Sequence, residues 1–502
     1  MIQTKRLGTI LMVAVLLFMH PLPDLLSAQV QTPGAERTAQ AGALTSFTLE
    51  SGMEVILFPL PDSASVLTGI VFRGGADAQT NKTAGLFRLL ERVLFRGTAS
   101  TPGEPEPSGA MDALGTAALE GGAQTDRFGL SFLVSPDMLG QGLDTIVYLF
   151  SGLRLDTAFS DPLALEEARK SSLEEIGSVL SDPGKVFEAA MARKLFATAP
   201  WRLDSSGSEP ILKAATEDSL HALSAAWLVP NNAVLILAGN FDPLTARPLI
   251  EKSFSSWKKA GDPWKTPQAA FPKPGVARPT LAVYPDPSVQ PGEAYIEMRY
   301  RAPDAGSARS AAAELWAEMA AQPSSRLAMA VSKGMPKWSS PSGLGVRYEL
   351  SRSASWLSVS ARLVLDAKGS LPDSVFTFKE IIRGTEMYAM KTNTGYFTAK
   401  EYERAKSALL ERRSALLADP QEAATVLADG WILGGSAWIK AWTDRIGKVT
   451  SKDIIAFADE YFMKNLEVVA VRLAPAEYTA RKKGFDSYAF EQITAQKAFW
   501  WR

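Results

Sequence analysis

The stretch "ARKSSLEEIGSVLSDPGKVFEAA", Ala168 to Ala190, returns further along the chain as "RAKSALLERRSALLADPQEAATV", Arg404 to Val426. Lys170, Ser171, Leu173 and Glu175 recur as Lys406, Ser407, Leu409 and Glu411, and Asp182-Pro183 recurs as Asp419-Pro420 with a drift of one residue. A second pair lies at nearly the same separation: "TEDSLHALSAAWLVPNNAVLILAG" from Thr216 and "SKDIIAFADEYFMKNLEVVAVRLA" from Ser451. Both read as a capped amphipathic helix, a turn and an apolar strand. Shared helical composition does not hold several matches at one spacing, so the chain reads as a tandem duplication.

Between the copies runs "WKKAGDPWKTPQAAFPKPGVARPT", Trp257 to Thr280, rich in proline and lysine and without apolar periodicity. This marks a linker, expected over 257–285. It separates a first domain at 46–256 from a second at 286–492, with a tail at 493–502. Each half is expected to open on an alternating strand, "VLTGIVFRGG" in the first and "EAYIEMRYRAP" in the second, and then to mix helices and strands without strict alternation. That pattern predicts an α+β class. The length of 502 residues suits two to four units. Hydrophobic residues make up 46%, charged residues 21%, and the net charge is −1, which excludes a disordered chain and gives no sign of a nucleic-acid partner.

At the N-terminus, Lys5 and Arg6 precede the apolar run "LGTILMVAVLLFMH", and the small residue Ala28 follows before a polar stretch. The pattern is that of a signal peptide over 1–28, followed by a flexible segment at 29–45. The run is short of the ~20 residues that span a bilayer, and no later segment could span one. An exported, periplasmic bacterial protein is expected. With no cysteine, it relies on its core rather than on disulfides.

In the first half, "GLFRLLERVLFRGT", Gly85 to Thr98, places Leu86, Leu89, Leu90, Val93 and Leu94 on one helical stripe, with Gly97 as the stop. Arg88, Glu91 and Arg92, at i, i+3 and i+4, form a second, polar stripe. This segment resembles the zinc helix of the pitrilysin/insulinase family of metallopeptidases, whose inverted motif is H-x-x-E-H. Gly85, Leu86, Leu90, Leu94, Phe95, Gly97 and Thr98 agree with the motif's usual surroundings. "SSLEEI", "VPNNAVLILAGNFDP" and "SSRLAMAV" are similar to further family segments in the same order. The resemblance implies two tandem homologous domains like those of the mitochondrial processing peptidase, each a largely antiparallel sheet packed with helices. It puts the two ligand histidines at Arg88 and Arg92, the water-activating glutamate at Glu91 and the third ligand at Glu175.

Arginine offers no lone pair and stays protonated, so it cannot ligate zinc. The chain has two histidines: His20 lies in the signal peptide, and His221 reads as a solvated or partly packed helix position. No metal or other cofactor is therefore expected. The resemblance further implies a second-half arginine and tyrosine that hold the substrate carbonyl. Counting from Arg326 puts Ser332 and Ser339 there, with Trp338 alongside, while a shifted register offers Tyr348. Gly122, Ala123 and Thr125 fall on the substrate-strand motif N-A-x-T, with glycine in place of its polar residue.

Two readings of the arginines stand. Either a polar stripe freed from metal binding has accepted long charged residues, or Arg88 and Arg92 replace the charge of the metal by forked hydrogen bonds to Glu91 and Glu175. The resemblance implies a catalytically inactive subunit that completes a peptide-binding chamber with an active zinc-bearing homologue, or with a second copy of itself. Extended peptides would bind by strand addition. A stand-alone peptide-binding or structural protein is the alternative. An active hydrolase has little support, because no nucleophile elbow is present and no histidine pair could serve a triad. The twelve tryptophans, "FWWR", "RKKGF" and "GLGVRYELSRS" read as core, interface, helix face and loop.

Overall fold

The structure, a computed structural model, describes residues 43–95, 114–115, 120–150, 156, 158–159, 161, 163–271, 280–335, 343–365 and 369–502. The expected signal peptide and most of the segment after it lie outside these residues.

The first half contains β1 (Thr45–Thr48), β2 (Glu54–Pro59), β3 (Val66–Arg73), β4 (Glu120–Ala123), β5 (Arg127–Val134) and β6 (Ala233–Gly239). They form one sheet in the order β1-β2-β6-β3-β5-β4, antiparallel except for β2 with β6. The second half has β7 (Thr280–Pro285), β8 (Glu293–Arg301), β9 (Leu344–Glu349), β10 (Trp356–Val364), β11 (Val468–Leu473) and β12 (Glu491–Gln492). Their order is β12-β7-β11-β8-β10-β9, with β7 parallel to β11. Five strands thus correspond in place and direction, so the repeat in the sequence is a repeat of topology. The α+β class and the two largely antiparallel sheets are as expected.

On the inner face of the first sheet lie α1 (Leu86–Leu94), α2 (Leu139–Phe150), α3 (Ala164–Ser181), then, past α4 (Pro183–Leu195), α5 (Glu217–Trp227) and α6 (Pro243–Ser253). The second half has α7 (Ser310–Ala320), α8 (Arg326–Gly334), α9 (Ala399–Leu416), α10 (Pro420–Gly447), α11 (Ser451–Phe457) and α12 (Pro475–Ser487), of which α7, α9, α10, α11 and α12 correspond in order to α1, α3, α4, α5 and α6. The recurring Asp-Pro pairs are helix starts. Asp182 accepts from the amides of Gly184 and Lys185 at 2.8 and 3.1 Å, and Asp419 accepts from Gln421 and Glu422 at 2.9 and 3.0 Å. Each satisfies two orphan donors of the helix it caps, with proline at the position that needs none.

Those two helices cross over. Val186, Phe187, Ala190 and Met191 of α4 pack on Ala282, Tyr284, Val468 and Ala470, the outer face of the second sheet. In return, Ala423, Leu427, Ala428 and Trp431 of α10 pack on Ile56, Val234, Ile236 and Ala238, the outer face of the first. Central strands buried on both faces are apolar at consecutive positions, as "AVLILAG" in β6 shows.

Charge threads both seams. Arg299 of β8, 2% exposed, sends a fork to Glu188 of α4 at 2.8 and 3.1 Å, bonds Glu297 and lies 3.9 Å from the centroid of Trp356. Arg127 of β5 pairs with Asp429 of α10. In α10 the helical conformation breaks at Gly434 and at Gly435 (φ 76°, ψ −176°), and Arg73 donates to the Trp431 carbonyl at 3.1 Å beside the break.

Several boundaries differ from expectation. β7 lies inside 257–285 because its run "TLAVYP" pairs with both β11 and β12, so the second half begins at Thr280. β3 and β8 are preceded by β1, β2 and β7 rather than opening their halves. Thr45 begins β1, inside the expected flexible segment, and the expected tail holds a short helix, Ala495–Ala498, packed against the second sheet. Among the described residues, no helix is long and apolar enough to cross a membrane.

Candidate functional site

A buried clamp sets the start of α1. Gln79, 1% exposed, accepts from the Gly85 amide at 2.5 Å and donates to the carbonyls of Trp201 and Asp204 at 2.7 and 3.1 Å. Gly85 has φ +93°, and a Cβ there would meet Gly207 Cα at 2.9 Å, so only glycine allows the two backbones to approach. Leu86, Leu89, Leu90, Val93 and Leu94 are buried as the apolar stripe predicts, and Phe87 is buried beside them. The helix ends at Leu94; Gly97, the expected stop, lies outside the described residues.

The polar stripe of α1 faces α3, and all four residues named from sequence meet there. Arg88 donates from Nε to Glu175 Oε2 at 3.0 Å, from Nη2 to Glu175 Oε1 at 3.2 Å and from Nη1 to Glu91 Oε2 at 2.6 Å. Arg92 donates from Nη2 to Glu175 Oε2 at 2.8 Å. The Ala123 amide of β4 donates to Glu91 Oε2 at 3.0 Å. Of the two readings of the arginines, this geometry is that of charge replacement: both guanidinium groups bond the carboxylate at the third-ligand position, one as a fork.

The electrostatics follow. Burial pushes the Glu175 carboxyl up, but hydrogen bonds and charge from Arg88 and then Arg92 outweigh it and hold the group below its ordinary range. For Glu91, burial prevails and raises it, with Arg88 and the Ala123 amide opposing. Burial lowers Arg88, yet Glu91 and Glu175 raise it further. The donors around Glu175 are all cationic, so the zinc implied by the family resemblance does not fit these side chains. Among the described residues, no group of three or more His, Cys, Asp or Glu could hold a metal ion.

Ala123 is buried and gives its amide to Glu91, Gly122 lies beside it on the edge strand β4, and Thr125 is exposed in the following turn. His221 sits on α5, its Nε2 3.7 Å from Asp156 and its ring 5.3 Å from that of Phe159. In the second half, Ser325 caps α8 by accepting from the Ala328 amide at 3.1 Å, and Arg326 lies over Tyr396. Ser332 is half-buried on α8, whereas Trp338 and Ser339 fall outside the described residues. Tyr348 donates its hydroxyl to the Pro303 carbonyl at 2.5 Å, so that donor is spent within its own half.

One cluster was missed from sequence. In the second half, Glu314 and Glu318 stand at i and i+4 on α7, and Arg412 of α9 donates to Glu318 at 3.0 Å. Helices α7 and α9 correspond to α1 and α3, but the signs are reversed. Both oxygens of Glu314 accept from Trp442 Nε1, at 3.2 and 3.3 Å, and burial pushes its carboxyl up to about 7. Its signal was the repeat itself, which sets Arg412 next to the counterpart of Glu175.

A family model described as the peptidase M16 inactive domain matches residues 214–335, a span that excludes α1. An uncharacterized zinc protease of Mycobacterium leprae (strain TN) is 26% identical over 222 residues, 44% of this chain and 48% of that protein. The chain thus spans about half the length of the curated relative it matches. Among solved structures, a protease from Helicobacter pylori aligns with TM-score 0.64 at 16% identity, covering 86% of this chain and 100% of that one. The peptidase M16 inactive domain from Pseudomonas fluorescens gives 0.64 at 14%, covering 86% and 98%. The periplasmic protease PqqL from Escherichia coli gives 0.63 at 16%, covering 89% and 50%. At these identities the structural likeness carries the fold alone. In sequence over part of its length and in fold over most of it, the chain is similar to pitrilysin/insulinase-type (M16) proteins.

Proposed function

We propose that this protein is a catalytically inactive pitrilysin/insulinase-type homologue, exported to the periplasm, that supplies half of a peptide-binding chamber to an active zinc peptidase. The observation that carries the reading is the pair of guanidinium groups bonded to Glu175 where a metalloenzyme needs lone-pair donors. A fork and a third charge-assisted bond keep that half-buried carboxylate satisfied, so the helices stay in place without the metal. Among the described residues, β4 and β9 are edge strands, whose outward backbone groups an extended peptide can add to. A likeness to M16 proteins over both halves supports an assembly role for the whole chain.

The test is the zinc content and peptide hydrolysis of the purified mature chain, alone and mixed with an intact H-x-x-E-H homologue from the same cell. The expected result is no stoichiometric zinc and no turnover alone, with enhanced hydrolysis on mixing. Peptide binding with no effect on the homologue would favour a stand-alone binding protein. Stoichiometric zinc with turnover by the chain alone would overturn the reading.

A further inference from the structure

The two arginines of α1 are not used equally. Arg88 spends all three of its nitrogens, two on Glu175 and one on Glu91. Arg92 spends one, Nη2, on Glu175, while its Nε is buried and meets no acceptor among the described residues. Glu175 already accepts three bonds, and the two to Glu91 both end on Oε2, from Arg88 and the Ala123 amide. Arg92 is also the more accessible, its side chain 26% exposed against 15% for Arg88.

Position completes the argument. Helix α1 packs along β4, the edge strand of the first sheet among the described residues. The Gln124 amide bonds the Arg127 carbonyl, and Ala123 pairs with Phe128 in register. In an antiparallel ladder the alternate residue then turns its amide outward, and at Ala123 that outward amide is held by Glu91. A peptide chain laid on β4 therefore runs past the cluster of Glu91, Arg88, Glu175 and Arg92 at a point where the edge amide of Ala123 is taken, and Arg92 is the guanidinium of that cluster with a bond from Nη2 alone among the described residues.

Resting on the peptide-binding reading above, we propose that Arg92 selects peptides by a carboxylate, making the site that would hold a metal ion in a metallopeptidase an anion-reading subsite. The incoming carboxylate accepts a charge-assisted bond from Arg92 Nη1, since Nη2 is spent on Glu175 and Nε is buried. Its source is either an Asp or Glu side chain or the peptide's C-terminus.

Fluorescence polarisation with four labelled decapeptides of one otherwise uncharged sequence tests this. Three carry Asp, Asn or Lys at the centre and an amidated C-terminus; the fourth carries Asn and a free C-terminal carboxylate. At least one carboxylate-bearing peptide should bind five-fold or more tighter than the Asn amide, and the Lys peptide should bind most weakly. Tight binding of the Asp amide alone assigns the side chain as the source; tight binding of the free acid alone assigns the terminus. Arg92→Met should abolish the preference without abolishing binding, and Arg92→Lys, which keeps the charge but loses the planar guanidinium that bonds Glu175 and the peptide at once, should retain part of it. Thermal melts show whether each variant is folded. Equal affinity for the Asp, Asn and free-acid peptides overturns this inference and leaves the peptide-binding reading standing, whereas no binding by any of the four overturns both.

Discussion

At the scale of single residues, the fate of two carboxylates makes opposite predictions. Arg88→Met keeps the apolar stem but removes the fork, leaving Glu175 with one cation and Glu91 with one backbone donor. The expected loss at pH 7 is on the order of 1–3 kcal/mol by urea unfolding. Because the folded chain holds Glu175 below its ordinary range, its contribution is present above that range and is lost as the pH falls through the lowered value. The variant's deficit should therefore shrink on acidification, and a deficit that persists at about pH 3 would point to packing instead. Glu314 runs the other way. Its carboxyl, pushed up to about 7, keeps a proton that the unfolded chain releases, so stability should fall as the pH rises through neutrality. A shift of this size corresponds to roughly 3 kcal/mol at full ionisation. Glu314→Gln retains an oxygen for Trp442 and should flatten the stability profile between about pH 5 and pH 8; an unchanged slope would show that Glu314 does not titrate there.

Elements carry the next set of consequences. Helices α1 and α3 hold three side-chain positions around one point, so the double substitution Arg88→His and Arg92→His should restore a donor set with Glu175. Stoichiometric zinc by elemental analysis of that variant, against none for the native chain, is the expected result. In α10, Gly435→Ala forces a side chain into a conformation favoured by glycine, costing about 1–3 kcal/mol, with the loss visible as a lowered urea midpoint. These elements also show how much could be read beforehand. Apolar spacing gave α1 and its two stripes, and the resemblance brought Glu175 to the arginines, whereas the recurring Asp-Pro pairs were legible only as a repeat and not as helix starts. Periodicity could not tell which sheet α4 and α10 would cover, since a buried stripe names no partner. Nor could it place β7, whose six residues adjoin a proline-rich stretch and are held by pairing with β11 far along the chain. The bond from the Ala123 amide to Glu91 depends on a backbone direction, which no side-chain pattern records.

For the whole molecule, the exchange of α4 and α10 removes the independence that a duplication would otherwise give. Without its neighbour, each half would expose the outer face of its sheet. Heat or urea should therefore unfold the chain in one cooperative step, with coincident transitions by tryptophan fluorescence and far-ultraviolet circular dichroism. Residues 43–257 and 280–502 expressed apart should be aggregated or unfolded, and should recover native spectra only when refolded together; two separated transitions, or a stable isolated half, would contradict this. The crossing also bears on how such a chain could arise. A one-copy ancestor with the same helices could have covered its sheet only by lending a helix to a twin, so its integrity would have varied with concentration. Joining the copies in one polypeptide replaced that equilibrium with a fixed local concentration. It also left the two crossings free to differ, so that one is tied by Arg299 with Glu188 and the other by Arg127 with Asp429, on strands that do not correspond.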